Sequence, residues 1–181
     1  ILIRALAPLL SDKRSEPPII AVAQDGSAVV PLLGGHNGAN RLAASIANAL
    51  GTSAAITTAG DVALGVALDD PPPGWSVTNV AAAKPVAAAL LAKQAVGLQA
   101  VSGDFAWLTE TNVEFSEGST PSITVTHKVD AGDGERLVLH PPVLALGVGC
   151  ERDCDPAELI SLAQETLTQA GLVRQAVACV V

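Results

Sequence analysis

Between an apolar run, Ala28 to Leu33, and an amphipathic run, Asn40 to Leu50, the chain reads Gly34-Gly35-His36-Asn37-Gly38-Ala39-Asn40. In that order the three stretches spell strand, tight turn and helix. The three glycines let the backbone take positive φ and approach a ligand closely, so that consecutive N–H groups and the positive end of the helix can face an anion. His36 adds an imidazole suited to proton transfer near neutral pH. The spacing Gly35-x-x-Gly38 lacks the first glycine of the dinucleotide fingerprint and no Gly-Lys-Ser/Thr follows, which disfavours a nucleotide cofactor. A turn of purely structural purpose, with His36 capping a backbone group, fits the same residues equally well.

Composition narrows the partners. At 181 residues and 49% hydrophobic content the chain can bury one good core or two small domains and falls outside the disordered class. With two Trp, two Phe and no Tyr it has few stacking platforms, and a formal charge of −8 opposes a phosphate backbone, so nucleic acid is an unsuitable partner. No apolar stretch approaches the ~18 residues of a membrane span, no targeting segment is visible, and the expectation is a soluble, cytoplasmic protein. Cys150, Cys154 and Cys179 make an odd set without Cys-x-x-Cys spacing or a nearby His, which points to neither a zinc site nor a disulfide framework.

Three regions separate by pattern. Residues 1–60 alternate strand and helix, with strands at Ile19 to Ala23, Ala28 to Leu33 and Ala54 to Thr58. Between them a helix runs from Asn40 to Leu50, its Leu42, Ile46 and Ala49/Leu50 at helical spacing, and Gly51 stops it. Asn40 suits the N-cap. Residues 61–141 open on Asp69-Asp70-Pro71-Pro72-Pro73-Gly74-Trp75, a rigid connection, followed by a helix from about Val80 to Lys93 that bends near Pro85. Short runs at Val96 to Val101, Asn112 to Phe115, Ser122 to Lys128 and Arg136 to His140 then read as a small antiparallel sheet. Residues 142–181, after Pro141-Pro142, read as a βαβ unit: strand Val143 to Val148, a helix begun by Asp155-Pro156-Ala157-Glu158 and ended at Gly171, and a strand-like run Ala176 to Val181. The expected class is α/β: a parallel-sheet α/β N-terminal unit, a small α+β middle region and a partial C-terminal βαβ unit. His127 and His140 read as packing or surface histidines, and no Gly-x-Ser-x-Gly elbow is present.

The chain has no initiator Met and opens directly on a run that reads as a buried strand, so a fragment is expected, with unpaired strands at its ends that invite another chain.

Four segments, taken in order, closely resemble the N-terminal domain of the CbiG family: Arg4-Ala5-Leu6-Ala7-Pro8-Leu9-Leu10, Asp12-Lys13-Arg14-Ser15-Glu16-Pro17-Pro18, Pro31 to Asn40, and Ile56-Thr57-Thr58-Ala59. Leu144-Ala145-Leu146-Gly147-Val148-Gly149-Cys150, leading into an acidic helix, resembles the start of that family's CobE-like C-terminal domain. The resemblance implies a place in cobalamin biosynthesis: hydrolytic opening of the δ-lactone of cobalt-precorrin-5A, release of acetaldehyde and formation of cobalt-precorrin-5B. It implies no cofactor, since cobalt is carried by the substrate. Other corrin-pathway enzymes, including a fused methyltransferase, are partners it allows, and a homodimer fits the unpaired strand ends. A non-catalytic corrinoid-binding or carrier module is the alternative.

A macrocycle with many carboxylate arms meets a chain of 18 acidic and 10 basic residues, so local charge has to override net charge. Arg4, Lys13, Arg14 and Arg41 stand against Asp12, Glu16 and Asp25 in the first 41 residues. Lactone opening needs a proton acceptor and donors for a developing oxyanion. The expected general base is His36, with Asp12 orienting it or pairing with Arg14. The N–H groups of Gly35 and Gly38 in the turn begun by Gly34, with the Asn40 amide, supply donors; Lys13 and Arg14 clamp carboxylates. Thr57 and Thr58 line the crevice at the carboxyl edge of a parallel sheet. Gly149 and Cys150 line the substrate. Where the family has basic residues after this cysteine, Glu151 and Asp153 stand here and work against a thiolate nucleophile.

Overall fold

The computed structural model describes residues 2–10, 16–57, 63–110 and 113–181, and for Leu2, Ile3, Leu9 and His36 the backbone alone. The chain divides into two compact units, Ile1–Val62 and Ala63–Val181, so the expected middle and C-terminal regions fall within one unit.

The first unit opens with a short helix, α1 (Leu2–Leu6), and a 3-10 turn, Ala7–Leu9. The expected opening strand is therefore helical. Leu, Arg and Ala favour helix over strand, and Pro8 limits its length. Strands β1 (Ile19–Val22) and β2 (Val29–Leu33) form an antiparallel hairpin with a register shift between Ile19 and Ile20, near Pro31, which has no N–H for the ladder. Asp25 ties its turn by accepting from the Ser27 hydroxyl (2.6 Å) and backbone N–H (3.1 Å).

The expected parallel sheet of this unit shrinks to one parallel bridge, Val29 to Ala54. Ala54 and Ala55 are weak strand formers, and the segment makes a single rung before running on through Thr57. Helix α2 (Ala39–Leu50) packs a face that shares only Ile46 with the one the sequence pattern selected. Ala43 and Ala47 are buried against Val29 with Ile46 packed beside them, and Ala39 is buried too, whereas Leu42 is 45% and Leu50 50% exposed. An alanine ridge at four-residue spacing brings the helix backbone close to the hairpin, and larger side chains would hold it off.

The second unit has a four-stranded sheet in the order β3 (Ser76–Val77), β6 (Arg136–His140), β5 (Ser122–Val125), β4 (Gly97–Ala100). The pairs β4–β5 and β5–β6 are parallel and only β3–β6 is antiparallel, which corrects the expected antiparallel sheet. Ile123-Thr124-Val125 and Leu137-Val138-Leu139 are buried on both faces, as strands in the middle of a covered parallel sheet must be. Val113 and Phe115 pack on the core, but of the expected run Asn112 to Phe115 only Phe115 bridges, to Val96; Asn112 lies outside the described residues.

Helix α3 (Ala83–Leu91) covers the sheet with Ala83, Val86, Ala89 and Leu90, and Pro85 sits in its first turn, where its missing N–H is harmless. Trp75 and Trp107 meet edge to face at 5.3 Å beside this core; Trp107 belongs to the short helix α4 (Ala106–Thr109). His140 is buried, as a packing histidine. Nδ1 donates to the Thr126 carbonyl (2.6 Å), so in the neutral ring Nε2 accepts from the Thr78 hydroxyl (2.6 Å).

The expected strand–helix–strand order forms, although the first strand is shorter than Val143 to Val148 and not covered on both faces, Val143 being 40% and Val148 38% exposed. Strands β7 (Leu144–Leu146) and β8 (Val177–Val180) are parallel, and helix α5 (Pro156–Gln169) starts at Asp155, whose carboxylate accepts from Ala157 N–H at 2.9 Å. The chain is an α/β protein whose main sheet has a parallel core.

Candidate functional site

At the end of β2 the glycine loop turns through two left-handed residues, Gly34 (φ 73°) and Gly38 (φ 87°), on either side of a 3-10 turn, Gly35–Asn37. Gly34 has no room for a side chain: a Cβ there would stand 2.7 Å from the Pro17 carbonyl oxygen and 2.8 Å from Pro18 Cα. The Gly34 carbonyl accepts from the N–H groups of Asn37 (2.8 Å) and Ala39 (3.0 Å). Those two donors are thereby committed to the turn, and the N–H groups of Gly35 and Gly38 are not held by that carbonyl.

The helix starts one residue before the expected cap. Gly38 is the N-cap and offers no side chain, and Asn40 falls in the first turn. This corrects the reading of Asn40 as cap. Its amide lies instead against the loop, about 3.8 Å from where a Gly35 Cβ would be, and the Arg41 guanidinium reaches within 3.1 Å of the corresponding point at Gly38. The first turn of α2 itself carries no acidic residue.

A contribution the sequence did not signal comes from Glu16-Pro17-Pro18. Asn37 Nδ2 donates to the Glu16 carbonyl (2.6 Å), and the two prolines lie on Gly34. The stretch that begins one residue after Asp12-Lys13-Arg14 therefore packs against the loop. Asp12, Lys13, Arg14 and Thr58 themselves lie outside the described residues, as does the His36 side chain. Thr57 is described and exposed; the parallel sense of the Val29–Ala54 bridge sends the chain toward it in the direction in which β2 runs to Gly34. It does not end a strand.

Gly149 and Cys150 belong to the second unit. Both are exposed beyond β7, and Gly149 joins Leu146, Gly147, Leu159, Leu162 and Thr166 in lining a shallow apolar groove between that strand and α5. Among the described residues no group of three or more His, Cys, Asp or Glu is placed to hold a metal ion, and no helix is long and apolar enough to cross a membrane.

The chain is an α/β protein in which a glycine turn leads directly into the N-terminus of α2. Residues 1–61 match the family described as Cobalamin synthesis G N-terminal. Through this N-terminal match the chain is similar to the CbiG family over its first 61 residues. It is similar to the cobalt-precorrin-5A hydrolase of Priestia megaterium, 29% identical over 189 residues that cover 92% of this chain and 50% of the relative. It is also similar to that of Salmonella typhimurium, 46% identical over 70 residues, 38% of this chain and 20% of the relative. The chain thus spans about half the length of the longer match. A solved chain from Sulfolobus solfataricus, described as a cobalamin biosynthesis protein G homolog, aligns over 99% of this chain and 54% of its own with 20% identity and a TM-score of 0.40.

Proposed function

We propose that this chain is part of a cobalt-precorrin-5A hydrolase that opens the substrate's δ-lactone with release of acetaldehyde to give cobalt-precorrin-5B. The names of the two relatives support the reaction, and the observation that carries it to particular residues is the Gly34–Asn40 loop. It combines two left-handed glycines, a helix whose first turn carries no acidic residue, and the Asn40 and Arg41 side chains turned over the glycines.

In this reading His36 takes a proton from the attacking water, and the N–H groups of Gly35 and Gly38 with the Asn40 amide hold the charge that develops on the lactone carbonyl oxygen. Asp12 orients His36 or pairs with Arg14. Lys13 and Arg14 take the carboxylate arms, their place next to Glu16-Pro17-Pro18 being the support for this, and Thr57, Thr58, Gly149 and Cys150 line the macrocycle. Cobalt enters and leaves within the substrate. Residues 142–181 are read as the start of a CobE-like domain on the strength of their βαβ order, and the cytoplasm is the compartment proposed. Corrin-pathway partners, a fused methyltransferase among them, and a homodimer remain part of the same proposal.

Incubating the protein with cobalt-precorrin-5A while measuring acetaldehyde and the mass of the macrocycle tests the reaction. Loss of the two-carbon fragment is the expected result. Tight binding without loss of the fragment would replace the hydrolase by a corrinoid carrier.

A further inference from the structure

We propose that Cys150 and Cys154 form a dithiol site that closes reversibly to an intramolecular disulfide by exchange with a low-molecular-weight disulfide such as oxidised glutathione. This goes beyond lactone hydrolysis and does not depend on it. The residues between β7 and α5 form a turn in which Cys154 N–H reaches the Glu151 carbonyl at 3.4 Å, and Asp153 takes a left-handed conformation (φ 68°) that reverses the chain. The Cys-x-x-x-Cys spacing is thereby folded back on itself, and Cys150 is the neighbour that chiefly pushes the Cys154 thiol above its ordinary value. Both thiols are free, Cys150 is exposed and Cys154 partly so. The third cysteine, Cys179, lies on β8 opposite Ala145, five residues back from Cys150 along the chain.

The exposed sulfur is the one an external disulfide meets first. Cys150 thiolate attacks it, a Cys150–S–S–glutathione bond forms and one glutathione leaves as thiolate, taking up a proton from water. Cys154, which holds its proton more tightly than an ordinary thiol because Cys150 neighbours it and it is partly desolvated, then loses it and attacks the Cys150 sulfur. The second glutathione departs. The net change is oxidation of two protein thiols to one disulfide and reduction of one glutathione disulfide to two thiols. The bond would fix the approach to α5 beside the groove that Gly149 lines, and a dithiol reductant would release it.

The test uses the purified 181-residue chain and oxidised glutathione, followed by intact-mass measurement and by trypsin digestion after denaturation and alkylation. Arg152 lies between the two cysteines, so cleavage behind it leaves peptides 137–152 and 153–174 joined only if the disulfide has formed. The expected result is loss of two hydrogens from the protein, joined peptides that dithiothreitol separates, and the same outcome in Cys179→Ser. Cys154→Ser, unable to resolve the first step, is expected to accumulate at least tenfold more Cys150–glutathione adduct than wild type. Equal adduct in wild type and Cys154→Ser overturns the proposal. So does linkage through Cys179, or two unmodified thiols at a glutathione disulfide concentration that modifies Cys179.

Discussion

The backbone of Gly34 rests directly on Pro17, so closely that a methyl group at Gly34 would stand 2.7 Å from the Pro17 carbonyl oxygen. Gly34 also holds φ at 73°, a region that costs an L-residue about 1 kcal/mol or more. Gly34→Ala is expected to destabilise the fold by about 2–4 kcal/mol, read as a shift in the urea midpoint. Gly51→Ala is the control, since Gly51 has φ 67° and nothing within 4 Å, leaving the conformational penalty alone. Equal losses at the two positions would mean that the Pro17 contact does not constrain the loop.

In the second unit one side chain ties three backbone groups. Asn79 Nδ2 donates to the carbonyls of Asp133 (2.7 Å) and Arg136 (2.8 Å), while Oδ1 accepts from Val138 N–H (2.9 Å). Asn79→Ala is expected to lose about 2–3 kcal/mol, because it leaves these groups without their partner. Asn79→Asp, which keeps the acceptor and sets a carboxylate against two carbonyls, is expected to lose at least as much. Urea unfolding checks both.

Two exposed carboxylates are held below their ordinary value of 3.8. Asp25 is lowered chiefly by the Ser27 hydroxyl, and Asp133 chiefly by the Glu135 N–H. A depressed carboxylate adds stability that is fully present above pH 3.8 and is lost as pH falls through its lower folded value. Ser27→Ala should move the Asp25 titration, followed by NMR, back toward 3.8 and leave Asp133 where it is. An unmoved Asp25 would contradict the cause assigned to it.

The basic stretch before the loop has its own expectation. Changing Lys13 and Arg14 together to Gln should weaken macrocycle binding by about 2–5 kcal/mol, and wild-type affinity should fall as salt rises. Titration at low and high salt checks this. Wild-type affinity in the double variant would move the carboxylate site away from this stretch.

How far the sequence carried depended on the range of the forces involved. Local signals were legible: Asp155-Pro156 and Gly171 bracket α5, β6 has its expected bounds at Arg136 and His140, and Gly34 and Gly38 turn left-handed where glycines invite it. Longer-range choices were not. Leu42 and Leu50 outrank Ala43 and Ala47 in apolarity, yet the helix had to come close to Val29, and only small side chains allow that. Strand direction around β5 was misread because doubly covered strands show continuous apolar runs with no alternation to guide pairing. The packing of Pro17 on Gly34 joins residues far apart in the chain, and nothing in either stretch names the other. The Cys-x-x-x-Cys spacing was visible but gained meaning only from the turn at Asp153.

The central claim is that the Gly34–Asn40 loop performs chemistry as well as binding, and His36→Ala tests it most directly. Acetaldehyde release from cobalt-precorrin-5A and macrocycle affinity would be measured side by side for wild type and variant. The expected result is a loss of about 10²–10⁴-fold in turnover with affinity nearly unchanged, as for removal of a general base. Undiminished acetaldehyde release by His36→Ala would contradict it.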